Sequence, residues 1–97
     1  MTKSELVDAV ARRQDLPRMN AERVVNVVFD TIRDAMLRGD RVEIRGFGSF
    51  KARHYQGYTG RNPRTGSPIV VEPKVLPVFK VGKDLRIRVN GGTDPDE

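Results

Sequence analysis

Eleven lysines and arginines stand between Arg41 and Asn90 against three acids, Glu43, Glu72 and Asp84, a balance of +8. The forty residues before them carry seven charges of each sign. The last seven carry Asp94, Asp96 and Glu97, which returns the 97-residue chain to +5. Cations gathered in one half of a chain whose other half is neutral point to a polyanion-binding surface on a neutral scaffold. Other chemistry is poorly served. With no cysteine there are no disulfides, thiolate zinc sites or thiol nucleophiles. The single histidine, His54, cannot form a two-histidine metal pair, and reads as solvated or groove-lining rather than catalytic. Asp8, Asp15, Glu22, Asp30 and Asp34 lie among basic residues at helical spacing. They read as solvated groups or i,i+4 partners, not as the clustered carboxylates of a metal-dependent nuclease. The expectation is a non-enzyme with no catalytic residue, metal, cofactor or small-molecule substrate. No apolar run approaches the ~20 residues of a membrane span, and Met1-Thr2-Lys3-Ser4-Glu5 has no signal-peptide core. A cytoplasmic protein with no membrane partner is expected.

The cations need elements to hold them. Thr2 and Glu5 have the spacing of a capping box, in which each side chain satisfies a free N–H at a helix start. Leu6, Val7 and Val10 repeat at helical spacing to about Arg13. Pro17 ends that helix and opens a second, from Met19 to Arg38. Its Val24, Val25, Val28, Phe29, Ile32, Ala35 and Met36 fall within a stripe about 140° wide at 100° per residue. Gly39 is a C-terminal stop. The stripe has more apolar surface than one short helix covers, and so short a chain is marginal at burying a core alone, so a dimer is predicted.

Beyond Asp40 the period becomes two. Val42 and Ile44 point one way, Arg41, Glu43 and Arg45 the other. Arg45-Gly46-Phe47-Gly48 reads as a turn. Phe50 and Ala52 resume the apolar face, and Ser49, Lys51 and Arg53 the polar one. From about residue 51 to 74 core residues run out: Tyr55-Gln56-Gly57-Tyr58-Thr59-Gly60, then the turn formers Arg61-Asn62-Pro63-Arg64-Thr65-Gly66, then Ile69-Val70-Val71. Two twelve-residue strands would each reach ~40 Å at ~3.3 Å per residue, against a radius of gyration near ~13 Å for a compact chain of this length. The segment is predicted to project as a β-ribbon arm, partly disordered in the free protein.

The chain then returns to a core. Val75, Phe79 and Val81 alternate in a strand, with Pro77 marking an edge. Gly82 breaks it, and Lys83 to Val89 forms a short helix. Residues 91–97 are flexible by composition. The predicted class is α+β: a helix hairpin plus an antiparallel β-sheet with a long protruding ribbon arm and a short C-terminal helix, in an intertwined dimer. One domain spans 1–90, followed by an acidic tail.

Gly46-Phe47-Gly48-Ser49-Phe50, then nine residues, then Gly60-Arg61-Asn62-Pro63-Arg64-Thr65-Gly66 resembles the signature of the HU/integration host factor family. Phe79-Lys80, Gly82-Lys83 and Leu85 resemble its closing strand and last helix, so the likeness covers about ninety positions. Met1–Leu6 and Arg41–Arg45 look most like the beta subunit of integration host factor. The resemblance implies an architectural protein that binds double-stranded DNA in the minor groove and bends it, in a bacterial nucleoid. It also implies a dimer with an identical chain or a related subunit, and roles in transcription, replication or recombination.

By the same resemblance Pro63 is the intercalating wedge at each arm tip, with Arg61, Asn62 and Arg64 holding groove edges and phosphates. Lys3, Lys51, Arg53, Lys74, Lys80, Lys83 and Arg86 are the expected phosphate contacts; each alone is an ordinary surface charge, but the set is not. Glu43 either orients Arg41 and Arg45 at a preferred DNA sequence or is a cross-strand partner for one of them. Tyr55 and Tyr58 stand where the family commonly has arm cations, and Val81 where it often has proline. A single-strand binder would need exposed aromatic platforms on a barrel. Tyr55 and Tyr58 are the only candidates, and a helix hairpin does not suit a barrel.

Overall fold

The computed structural model describes residues 1–96; Glu97, the last acid of the tail, lies outside them. The chain divides into two compact units, Met1–Ala35 and Met36–Glu97.

The first unit is a helix hairpin, α1 (Lys3–Gln14) and α2 (Arg18–Leu37), with the last two residues of α2, Met36 and Leu37, in the second unit. The capping box is present: the Glu5 N–H donates to Thr2 Oγ1 at 3.2 Å and the Thr2 N–H to Glu5 Oε1 at 3.3 Å. Asp15 closes α1 in the left-handed region, φ 50°. The Pro17 carbonyl then accepts the Asn20 and Ala21 N–H groups at 3.0 and 3.1 Å. A proline just outside a helix donates nothing and accepts well, so Pro17 starts α2 as it stops α1. Val7, Ala21 and Val25 are the interior of the hairpin, flanked by Leu6, Val10, Ala11 and Leu16. The stripe on α2 is only partly covered. Val25 and Ala35 are buried, whereas Val24, Val28 and Phe29 remain 47, 49 and 51 % exposed.

The second unit contains β1 (Val42–Ile44), β2 (Gly48–Tyr55), β3 (Tyr58–Arg61), β4 (Pro68–Val71), β5 (Lys74–Val81) and α3 (Lys83–Val89). One antiparallel sheet has the order β1-β2-β5; β3 and β4 pair separately. Val42 opposes Phe50 and Phe50 opposes Phe79, so the period-two pattern sets the register. Pro77 lies on edge strand β5, as expected of a residue with no N–H for the ladder. The β1–β2 turn spans residues 45–47, with Gly46 at φ +84°. Gly48 belongs to the strand rather than the turn. A Cβ there would lie 2.5 Å from both the Phe79 ring and the Lys80 carbonyl oxygen. Glycine is required because Phe79 crosses it to meet Phe47 and Phe50, with ring centroids 5.4 and 4.8 Å apart.

The arm differs from the uninterrupted ribbon expected of residues 51–74. Pairing runs from Gly48 opposite Val81 to Tyr55 opposite Lys74, lapses over residues 56–57 and 72–73, and resumes at Tyr58 opposite Val71. Pro73 has no N–H to give the ladder, and at Gly57 a Cβ would meet Val71 O at 2.7 Å and Pro73 Cδ at 2.9 Å. The register survives the break, since both strands advance by three.

Gly48→Ala is expected to cost about 1–3 kcal/mol by overpacking against Phe79. Gly60→Ala, whose Cβ would find only ordinary contact with the Tyr58 ring at 3.6 Å, is expected to be neutral or slightly stabilising. Urea denaturation of both variants at one protein concentration checks this. Equal effects would deny that Phe79 needs the open face of Gly48.

Candidate nucleic-acid interface

Register sorts the sheet into two chemistries. One face carries Val42, Ile44, Phe50, Ala52, His54, Val75, Pro77, Phe79 and Val81; the other carries Glu43, Ser49, Lys51, Arg53, Tyr55, Lys74 and Lys80, with Leu76 and Val78 as its two apolar members. At one end Arg41, Glu43, Arg45, Ser49 and Lys80 line an open hollow together with the glycines 46, 48 and 82. Ser49, expected on the solvated face, is buried at 7 % exposure. Nothing in its alternation distinguishes it from Lys51. Among the described residues Glu43 forms no ion pair with Arg41 or Arg45. It opposes Ser49, so the cross-strand pairing with arginine is not what the register provides.

Further along, Tyr55 gathers two of the expected phosphate contacts. Arg53 Cζ lies 5.2 Å and Lys74 Nζ 5.7 Å from its ring centroid. The ring face is electron-rich and attracts cations. The tyrosine that replaces an arm charge therefore holds two others in place. That engagement also removes Tyr55 as a bare stacking platform. Tyr58 lies instead beside Gly60, its ring edge 3.6 Å from where a Cβ would stand, close enough for ordinary contact and leaving room for one.

The tip is a built turn. The Asn62 N–H donates to Ser67 O at 2.8 Å, the Gly66 N–H to Asn62 O at 2.7 Å, and the Arg64 N–H to Asn62 Oδ1 at 2.8 Å. Gly66 takes φ +72°, which lets the chain turn back into β4. Pro63 is exposed between Arg61 and Arg64. Asn62, expected at a groove edge, uses its side-chain oxygen to shape the turn.

The remaining cations divide. Lys3 is exposed on the first turn of α1, in the helical unit. Lys83 is exposed at the start of α3. Arg86 is not free: Asp94 and Asp96 each approach its guanidinium to 3.3 Å. No group of three or more His, Asp or Glu that could hold a metal occurs among the described residues. No helix there is long and apolar enough to cross a membrane.

The family model for bacterial DNA-binding proteins matches residues 1–90. The chain resembles Anabaena HU as found in an HU–DNA cocrystal structure. The two are 38 % identical, 92 % of this chain and 97 % of that one are covered, and the TM-score is 0.80. HU from Thermotoga maritima is 29 % identical, with 92 and 98 % covered and a TM-score of 0.65. The solution structure of a mutant of transcription factor 1 is 27 % identical, with 94 and 92 % covered and a TM-score of 0.63.

Replacing Tyr55 by leucine is expected to cost at least about 0.5–1 kcal/mol of stability at this half-buried site, while Tyr55→Phe, which keeps the ring face, costs little. Chemical denaturation of the two variants separates them. Equal losses would mean that the hydroxyl, not the ring, does the holding.

Proposed function

The chain belongs to the family of bacterial DNA-binding proteins, and from that premise we propose that it lays two β-ribbon arms along the minor groove as a dimer and bends the duplex by inserting Pro63 of each arm between base pairs. It is an architectural DNA-binding protein and not an enzyme. The observation that carries the detailed reading is the tip. A rigid, exposed proline sits on a hydrogen-bonded turn, with an arginine on each side. Proline has no N–H to desolvate on entering a base stack. HU and integration host factor belong to the minor-groove proteins that insert apolar wedges, and the cost of unstacking, a few kcal/mol per step, is the value for that class.

The dimer accounts for the apolar side chains the single chain leaves open, Val24, Val28 and Phe29 on α2, Phe47 in the β1–β2 turn and Phe79 on β5. The partner is a second copy or a related subunit. Lys3, Lys51, Arg53, Lys74, Lys80 and Lys83 take backbone phosphates, which supplies most of the affinity and makes it salt-dependent. Arg41, Glu43 and Arg45 meet DNA at the hollow floored by Ser49; Arg61, Asn62 and Arg64 hold the groove beside the wedge. The setting is the cytoplasm, on nucleoid DNA, where bending serves compaction and transactions such as transcription, replication or recombination.

Pro63→Ala separates bending from binding. A wedge variant should bend intact duplex less, read by energy transfer between dyes at the duplex ends, and bind it more weakly. On duplex already nicked or kinked the unstacking cost is largely absent, so the loss should be much smaller. Equal losses on both substrates with an unchanged bend would leave Pro63 as a turn residue only.

A further inference from the structure

Of the seven cations expected to take phosphates, Arg86 is the one with carboxylate partners among the described residues. Asn90 ends α3, and Gly91 and Gly92, at φ +78° and +101°, turn the chain back on it. The Gly92 N–H donates to Ile87 O at 2.9 Å and Asn90 Nδ2 to Thr93 O at 2.8 Å, which fixes the reversal. Asp94 Oδ2 then lies 3.3 Å from Arg86 Nη2, and Asp96 Oδ2 3.3 Å from Arg86 Nη1.

Enclosure distinguishes this contact. The Asp94 side chain is 8 % exposed and that of Arg86 30 %, whereas every ion pair outside this cluster has both side chains at least 45 % exposed. Arg86 Nε is buried without a hydrogen-bond partner among the described residues. The guanidinium thus faces two anionic oxygens with a donor to spare, an arrangement a phosphodiester also fits, because its two free oxygens accept from the same fork. The Asp96 N–H is the main cause that holds the Asp94 carboxyl below the usual carboxylate range; burial opposes it, and Arg86 and Lys83 assist. A lowered value stabilises the fold-back above the ordinary carboxylate range and releases it as pH falls through the lowered one. At neutral pH the contact is closed.

We infer that residues 91–96 are an internal phosphate mimic: the tail carboxylates occupy Arg86 in the free protein and leave when a DNA backbone phosphate takes their place. This rests on the DNA-binding reading above and adds a competitor to it. Tethered directly to the end of α3, the tail presents its carboxylates at an effective concentration that solvent anions do not match. The protein therefore binds DNA less tightly than its cations allow, and the discount falls on the α3 contact alone.

The test is a double-mutant cycle in the full chain, with Asp94→Asn/Asp96→Asn and Arg86→Gln separately and together, read by anisotropy of a labelled duplex at low salt. Neutralising the tail should tighten binding about five-fold when Arg86 is present, the size expected for one to two partly exposed ion pairs. It should change binding less than about two-fold in the Arg86→Gln background. A simple gain of net charge predicts the same improvement in both backgrounds, and that result would overturn the mimic. Nuclear magnetic resonance adds a second readout. On addition of duplex, the Gly92 and Asp96 amides should lose their fold-back shifts; if they keep them with DNA bound, the tail does not leave and the inference fails. If neither the wild-type chain nor any variant binds duplex, the DNA-binding reading fails first, an outcome distinct from binding without coupling.

Discussion

The chain carries more apolar side chain than it can cover by itself. Val7, Ala21, Val25 and Ala35 are interior, while Val28, Phe29, Phe47 and Phe79 keep between 42 and 51 % of their surface in water. Burying a large apolar side chain fully contributes about 1.5–3 kcal/mol, so half-covering four of them leaves about 3–6 kcal/mol unrealised. That is comparable to the whole net stability of a small domain, about 5–15 kcal/mol. A second chain that closes over α2 and over the Phe47–Phe50–Phe79 cluster recovers this energy. Two chains also supply two arms.

The same economy explains where the DNA-facing chemistry sits. Alternation puts Val42, Phe50 and Phe79 on one face of the sheet, so the cations of β2 fall on the residues between, and strand register lines Lys74 and Lys80 up with them. Glycine and proline then permit what ordinary residues would block. Gly48 lets Phe79 cross the strand, Gly57 and Pro73 mark the point where the arm's two ladders part, and Pro63 rides on a turn closed by Asn62. Glycine, proline and asparagine decide where the chain turns, and the cations occupy positions between them.

Much of this was legible in the residues. Thr2 with Glu5, Pro17 and Gly39 mark helix ends through local hydrogen bonds, and each acts where it stands in the chain. Period-two alternation aligned Val42, Phe50 and Phe79 because one face must avoid water. What was not legible depends on contacts that leave no periodic trace. The interruption of the arm arises from a cross-strand approach of Gly57 to Pro73. The burial of Ser49 is invisible in an alternation that treats it like Lys51. Arg86 reads like any other lysine or arginine until Gly91 and Gly92 bring Asp94 back onto it. Tyr55 looked like a missing charge, yet its ring collects Arg53 and Lys74.

If a second chain covers the open apolar faces, sedimentation equilibrium of the purified chain across nanomolar to micromolar concentration, with thermal unfolding followed over the same range, shows it most directly. The expected result is twice the 10.9 kDa chain mass wherever the protein is folded, and an unfolding midpoint that rises with concentration as mass action requires. A folded species of single-chain mass, with a midpoint independent of concentration, would contradict it.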